Sequence, residues 1–585
     1  MSHRNSWGTT TALAVILLAG TAHAQPYRSI NGQGNNVSNP EWGSAHAHLR
    51  RLAACEYGDN IGALAGPSRP SPRMISNLIV AQNGVDLPSE RVLTSFAIFW
   101  GQFIDHDMDL TDPPAGIAET AMIPVPTGDP FFDPASTGTQ VIAFSRSEYD
   151  PLTGTDVNNP REQMNIITAY LDASMVYGSD PLRAAALRAG VDGKLLVSEG
   201  GFLPFNTFGL PNANPMGAPA ASLFLAGDVR ANEQSTLACL HTLFVREHNR
   251  RCDELKAQHP GWDDETLYQE ARLWVGALVQ NISLYEFLPA LVGDARVPAY
   301  TGYDDSVDPS IVTEFSTGAF RMGHTMINPT LLRLDEDGLE IPEGHVPLRA
   351  AFFNPAILTE AGIEPFLLGL ASQVSQEIDN KVVDDLRNFL FGQPGAGGLD
   401  LPSLNIQRGR DHGLPDLNDA RRALGLTAYG SFNEITSDAD LASRLQAAYT
   451  SVENIDLWVG LLAEDHLPGA SVGEGLAAIM IDQFTRLRDG DRYWFENVMS
   501  PEEIAEVRAT TLADVVIRNT TITNLQPNVF YVTGDFNNDA AIDSADFLAF
   551  LNAYVTSHPH ADMNKDGVFN SSDFLTFLNA YVRNS

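Results

Sequence analysis

Cysteine is scarce, with three in 585 residues, too few for a disulfide framework. Cys239 and Cys252 lie thirteen residues apart in a helical stretch, a spacing of about 20 Å that keeps them from pairing. With Cys55 they read as small apolar residues. Positive charge is also short: 36 Lys and Arg face 73 Asp and Glu, for a net charge of −37. Nucleic acids and anionic membrane surfaces are held chiefly by cations set against phosphates, so a chain with this balance and no basic stretch is not built for either. Long apolar runs are missing too. The run at 12–18 falls short of the roughly 20 residues that a bilayer span needs. His3 and Arg4 precede it and Ala22-His23-Ala24 follows, so residues 1–24 read as a secretory signal peptide, with Gln25 as the mature start. No later segment reads as transmembrane, and the mature protein is expected outside the cytoplasm, extracellular or periplasmic.

Strand-like alternation is scarce as well, confined to 519–532. Apolar residues instead recur every three or four positions over 91–108, 231–258, 264–288 and 382–391, between Pro/Gly/Asn-rich connections. The expectation is a mainly α fold with long loops.

The last fifty residues are a separate object. Asp535, Asn537, Asp539, Asp543 and Asp546 occupy positions 1, 3, 5, 9 and 12 of a loop that leads into the apolar stretch 547–554. Twenty-seven residues later Asp562, Asn564, Asp566, Asn570 and Asp573 repeat the pattern before 574–581. Oxygen side chains at these positions suit Ca²⁺ wrapped by a twelve-residue loop before a helix. Position 6, where glycine permits the sharp turn, is Gly567 in the second loop and Ala540 in the first, so the first site is expected to bind more weakly. The segment resembles dockerin type I modules, small EF-hand-like helical pairs; that resemblance implies two Ca²⁺ sites and a cohesin-like protein partner.

The most informative stretch of the large domain is WGQFIDHDMD at 100–109. On a helix Gln102 and His106 share a face while Asp105 and Asp107 flank it. A histidine near neutrality there can shuttle a proton. This stretch, with INGQGNN (30–36), DASMVYG (172–178), AGDVRANE (226–233), FRMGHT (320–325) and NIQRGRDHG (405–413), resembles the animal-type haem peroxidases of the peroxidase–cyclooxygenase superfamily, in order and spacing, from about residue 27 to 532. The resemblance implies that family's fold and a haem b cofactor. His324 matches the axial iron ligand and Asn405 the acceptor of a hydrogen bond from its other ring nitrogen. Arg321 and Arg408 match partners for the haem propionates. His106 matches the general base, Arg230 the cationic stabiliser of O–O cleavage, and Gln102 the residue that orients water or substrate. The oxidant implied is a ferryl porphyrin radical made with H₂O₂, and the donors are halides, thiocyanate or phenols.

Asp105 and Glu233 match carboxylates that become ester links to haem. Arg230 and Glu233 are read as i, i+3 at a helix start, facing one cofactor edge. Gln234 stands where the most strongly oxidising relatives carry a methionine joined to haem, so two esters are expected, with bromide, iodide, thiocyanate or organic donors preferred over chloride. A structural Ca²⁺ site is implied at Asp107, Thr168, Tyr170 (through its carbonyl), Asp172 and Ser174. Gly34 replaces a cysteine common in relatives, so stability must come from packing and Ca²⁺. Glu247 and His248 read as helix-packing polar groups, and His412 has no cofactor role. The domains expected are 1–24, 25–532 and 533–585. Two other functions fit the resemblance: a haem fatty-acid dioxygenase, and an inactive Ca²⁺-dependent interaction protein.

Overall fold

The computed structural model describes residues 27–111, 119–537, 542–564 and 566–584. The segment 1–24 expected as a signal peptide and the loop residues Asp539 and Ala540 lie outside the described residues. The chain is mainly helical, with three two-stranded antiparallel ribbons among the described residues: Ala47–His48 with Met164–Asn165, Ile123–Pro124 with Val141–Ile142, and Thr330–Leu331 with Val346–Pro347.

The elements that position the site are α1 (Ser95–Met108), α2 (Ser174–Tyr177), α3 (Ser235–Gln258), α4 (Asp264–Ile282) and α5 (Leu401–Asp411). Helix α1 is buried at every position except Gly101, Gln102 and Asp105, so those residues mark its one open face. Its interior is aromatic: the Trp100 ring lies 5.7 Å from Phe103, 5.6 Å from Phe244 on α3 and 6.4 Å from Phe530. Truncating such a side chain costs about 3–5 kcal/mol, enough to fix the helix in place.

Several boundaries differ from the sequence expectation for tertiary reasons. Helix α1 starts at Ser95, not 91, because Leu93 bridges Tyr531 and Thr94 bridges Val374. Helix α3 starts at Ser235, not 231, because the Gln234 side chain accepts a hydrogen bond from Thr236 N at 2.7 Å and caps it. Arg230 and Glu233 therefore sit in the preceding turn, where Glu233 N still donates to Arg230 O at 2.8 Å. Beyond α4 the helix continues through a π turn, Ser283–Phe287, to Leu288–Val292. The run Asp264–Val292 is long and apolar enough to cross a membrane by length and composition, contrary to the expectation, but most of it is buried inside the protein as a core helix. The stretch 382–391 keeps only the turn Asp384–Arg387. Residues 519–532 form no strand beyond the bridge at Tyr531.

Cys239 and Cys252 are buried and unbridged, and Cys55 is half-buried and free. Glu247 is a packing hub, bonded by Arg250, Arg518, Asn519 and the indole of Trp274.

At the C-terminus α6 (Ser544–Val555) and α7 (Ser571–Asn584) pack with Phe550 and Phe577 stacked at 4.2 Å. The pair shares a small core with Val92, Val374 and Val532 of the large domain. His560 Nε2 also meets the Asp337 carbonyl of the large domain.

Candidate active site

A cavity of about 450 Å³ opens against the free face of α1. Gln102, Asp105 and His106 line it, joined by Arg230, Glu233 and Gln234 from the turn before α3. Arg321 and His324 enter from the 3-10 segment Ala319–Thr325, and Arg408 from α5. Sequence positions more than 200 residues apart therefore meet on one chamber, whose remaining wall is mostly apolar and includes Ile98, Phe320, Ile327, Phe352 and Leu404.

On the α1 side Arg230 is fixed by three hydrogen bonds to one carboxylate. Its backbone N and Nε reach Asp228 Oδ1 at 2.8 and 2.9 Å, and its Nη2 reaches Oδ2 at 2.9 Å. Nη2 also donates to the Asp109 carbonyl at 2.8 Å. The neighbouring guanidinium holds the Asp228 carboxyl well below the usual carboxylate range, against the opposing effect of burial. His106 is buried, with Nδ1 3.5 Å from Asp228 Oδ1 and Nε2 3.9 Å from Glu233 Oε2. Burial, then the Arg230 charge, push His106 well below its ordinary value. The imidazole is therefore neutral, with Nδ1 facing an anion and Nε2 left basic toward the cavity. Gln234 Nε2 donates to Gln102 Oε1 at 3.2 Å, which orients the amide of Gln102. Asp105 and Glu233 are both raised, chiefly by burial, although each opens onto the cavity.

On the other side Asn405 Nδ2 lies 2.8 Å from His324 Nδ1, and Arg321 Nη1 donates to Asn405 Oδ1 at 3.2 Å. The two side chains meet as the sequence reading expects; with the amide turned half round, Asn405 accepts from Nδ1–H and Nε2 is left to ligate. Burial and the Arg321 charge push His324 down to about 3, so it is neutral and able to ligate a metal. Arg408 faces the cavity stacked 4.3 Å over Phe144, with Nη1 also bonded to Asp411 Oδ2 at 2.9 Å.

These residues suit haem: a neutral imidazole with a hydrogen-bonded back nitrogen, an apolar wall for the macrocycle, and Arg321 and Arg408 for its propionates. The sequence reading missed Asp228 and Asp109. Asp228 was visible two places before Arg230 in AGDVRANE, but its role exists only in the pairing. Asp109 keeps a buried Oδ2 without a hydrogen-bond partner and lines the cavity.

Behind α1, Asp107, Thr168, Tyr170, Asp172 and Ser174 are all buried and adjacent. Ser174 Oγ donates to the Asp107 carbonyl at 3.0 Å, Thr168 Oγ1 to Asp172 Oδ1 at 3.2 Å, and Ala173 N to Asp107 Oδ2 at 3.0 Å. The Tyr170 carbonyl accepts from Asp172 N at 2.9 Å. Asp172 Oδ2 has no hydrogen-bond partner, and burial with the neighbouring carboxylate raises Asp107 far above its ordinary value. Two buried carboxylates among hard oxygens fit Ca²⁺. In the C-terminal loops the position-12 aspartates are buried and draw backbone N–H groups inward: Asp546 from Phe536 at 2.8 Å, Asp573 from Met563 at 2.8 Å. Gly567 takes φ +79°, the left-handed turn anticipated at position 6 of the second loop.

The fold and cavity define a haem peroxidase. The animal haem peroxidase profile matches residues 27–530 and the dockerin type I domain profile matches 533–582. The chain belongs to the animal haem peroxidase family and is an oxidoreductase that acts on hydrogen peroxide; haem is the cofactor of that family and calcium the ion of the dockerin domain. It is 38% identical over 526 residues to Peroxinectin A of Dictyostelium discoideum, covering 88% of this chain and 97% of the relative. It spans 34–38% of the peroxidasin homologs and dual oxidase that it also matches. Among solved structures, Peroxidase A from Dictyostelium discoideum superposes with a TM-score of 0.81 at 37% identity, covering 87% of this chain and 100% of that one. A rice fatty acid alpha-dioxygenase shares the fold, with a TM-score of 0.70 at 24% identity over 86% of this chain and 87% of that one.

Proposed function

We propose that the protein is an exported peroxidase that reduces H₂O₂ and oxidises small anionic or phenolic donors, with bromide, iodide or thiocyanate favoured over chloride. The observation that carries the reading is a neutral, buried His106 beside a carboxylate-clamped Arg230, in one cavity with the Asn405-tethered His324. Haem, when bound through His324, supplies the site that stores the two oxidising equivalents of peroxide. His106 Nε2 takes the proton from the peroxide and returns it to the departing oxygen. Arg230, already oriented by Asp228, stabilises the negative charge that develops as the O–O bond breaks. Gln102, held by Gln234, orients water or donor at the same place.

Asp105 and Glu233, carboxyls on the cavity wall, are the two residues that would carry ester links to haem. Gln234 has no thioether for a third link, which keeps the oxidising power below that needed for chloride. Asp107, Thr168, Tyr170, Asp172 and Ser174 hold Ca²⁺ against the back of α1. Residues 25–532 form the enzyme and 533–585 the Ca²⁺-binding module, which docks on a cohesin-like partner. The test is H₂O₂-dependent oxidation of iodide, bromide, chloride and a phenol by the haem-loaded protein, alongside His324→Ala. No haem absorption band, or full activity in that variant, overturns the proposal. Oxygen uptake with an unsaturated fatty acid and no donor would favour the dioxygenase function instead.

A further inference from the structure

Tyr177, at the end of α2, is fully buried, and its hydroxyl lies 2.9 Å from His248 Nδ1 on α3. His248 is also fully buried, and its Nε2 lies 2.9 Å from the Gly193 carbonyl. A carbonyl can only accept, so Nε2 carries the ring hydrogen and Nδ1 presents its lone pair. The Tyr177 hydroxyl is therefore the donor, and its proton has a base within transfer distance. Burial pushes His248 down to about 4, so the ring is neutral over the working pH range and its Nδ1 lone pair is available to the Tyr177 hydroxyl. The Tyr268 ring packs edge-on to Tyr177 with centroids 5.8 Å apart, and half-exposed Arg188 stacks over Tyr268 at 4.0 Å. The two tyrosines are both buried, and the Arg188 guanidinium lies between Tyr268 and solvent-facing side chains.

The same short helix reaches the active cavity. The Met175 carbonyl accepts from Asp228 N at 3.1 Å, and Asp228 clamps Arg230. A Cβ at Gly227 would lie 2.6 Å from Tyr177 N, so the two backbones touch. Tyr177 is therefore joined to the chamber by two residues of chain and two hydrogen bonds, Asp228 to Met175 and Arg230 to Asp228.

We infer that Tyr177 and His248 form a redox-active pair that supplies an electron to the oxidised cofactor when no donor occupies the cavity. In this step the Tyr177 O–H bond breaks, the proton moves to His248 Nδ1, and the electron reduces the cofactor by one equivalent. A neutral tyrosyl radical and an imidazolium remain, the latter still donating from Nε2 to Gly193. Peroxide is the terminal oxidant, so the inference rests on the peroxidase reaction. Its consequence is an oxidising equivalent held outside the cavity, on a buried ring in edge contact with Tyr268. This gives His248 a part beyond the helix packing read from the sequence.

The experiment is freeze-quench electron paramagnetic resonance on the holoenzyme mixed with equimolar H₂O₂ and no donor, with the haem band followed in parallel. Wild type should give a tyrosyl signal that collapses in width when tyrosine is ring-deuterated. Tyr177→Phe should lose that signal while the initial reaction of the haem band with peroxide keeps its rate. His248→Gln, which retains the tyrosine but not a base of comparable strength, should lower the radical yield. A signal unchanged in Tyr177→Phe, a signal lost only in Tyr268→Phe, or no tyrosyl signal in a wild-type enzyme whose haem band does respond would each overturn the inference. No response of the haem band at all would instead refute the peroxidase function.

Discussion

Replacing Asp228 by Asn separates the electrostatics of the cavity from its shape. The wild-type carboxylate accepts three bonds from Arg230, and its side chain is 1% exposed against 15% for Arg230. Removing one partner of so buried a pair leaves a cation without compensation, which costs about 3 kcal/mol of stability. Because the folded-state value of Asp228 is depressed, its stabilisation is fully present above the unfolded value of about 4 and is lost as pH falls through the folded value. The stability gap between wild type and variant should thus be constant from mildly acidic to neutral pH and narrow below about pH 4. Catalysis should suffer as well. A guanidinium no longer aimed at the breaking bond is comparable to losing one preorganised donor, a drop of about 10²-fold in the peroxide step. The proton step supplies a signed control. The Asp228 charge raises His106 while Arg230 lowers it, so the variant's His106 falls further and the acid limb of the rate profile moves to lower pH. Stopped-flow absorbance of the haem band after mixing with H₂O₂, across pH, measures both. A wild-type rate with an unmoved acid limb would refute the assignment of Asp228 as the residue that positions Arg230.

Three further outcomes follow from the site and its surroundings. Asp105→Asn and Glu233→Gln should each render haem more extractable by acidified organic solvent, and the double variant should release it fully; retention in the double variant would exclude the esters. Chelation of Ca²⁺ should lower the melting temperature and slow the peroxide step, since Asp107 adjoins His106. In the metal-free state Asp107 is raised, so the folded form binds the proton more tightly and loses stability as pH increases; the chelator effect on calorimetric melting should be larger at pH 8 than at pH 5. Glu286, pushed up to about 8 by burial, destabilises the fold increasingly as pH rises from its ordinary value to that point. Glu286→Gln should therefore melt higher than wild type at pH 8 and no higher at pH 4.

What was legible in the sequence was local. Gln102 and His106 line the cavity from one side of α1, with Asp105 beside them, because their spacing is helical, whereas the repeated Asp/Asn positions found the twin C-terminal loops. What escaped was set by partners distant in the chain. The start of α1 is cut to Ser95 by pairing with Tyr531 and Val374, which no periodicity records. The stretch 382–391 has helical apolar spacing, but Val382 is drawn into a bridge with Ala81 and Leu390 into one with Leu399. The contact between Asn405 and His324 joins residues 81 apart in the chain. Asp228 looked like one acidic residue among 73, and only the folded arrangement shows that it orders both Arg230 and His106.

The C-terminal module is rooted where the catalytic helix begins. Val532 N donates to the Val92 carbonyl at 3.0 Å, Thr94 N to the Phe530 carbonyl at 3.0 Å, and the module's phenylalanines cover Val92 and Val374. If a scaffold grips this module, tension in the tether reaches the enzyme first at the four residues preceding Ser95, so load is borne by the root of the helix that carries Gln102 and His106. Immobilisation and catalysis then share one mechanical joint, and cutting the module away would strip that joint of its cover as well as release the enzyme from its anchor.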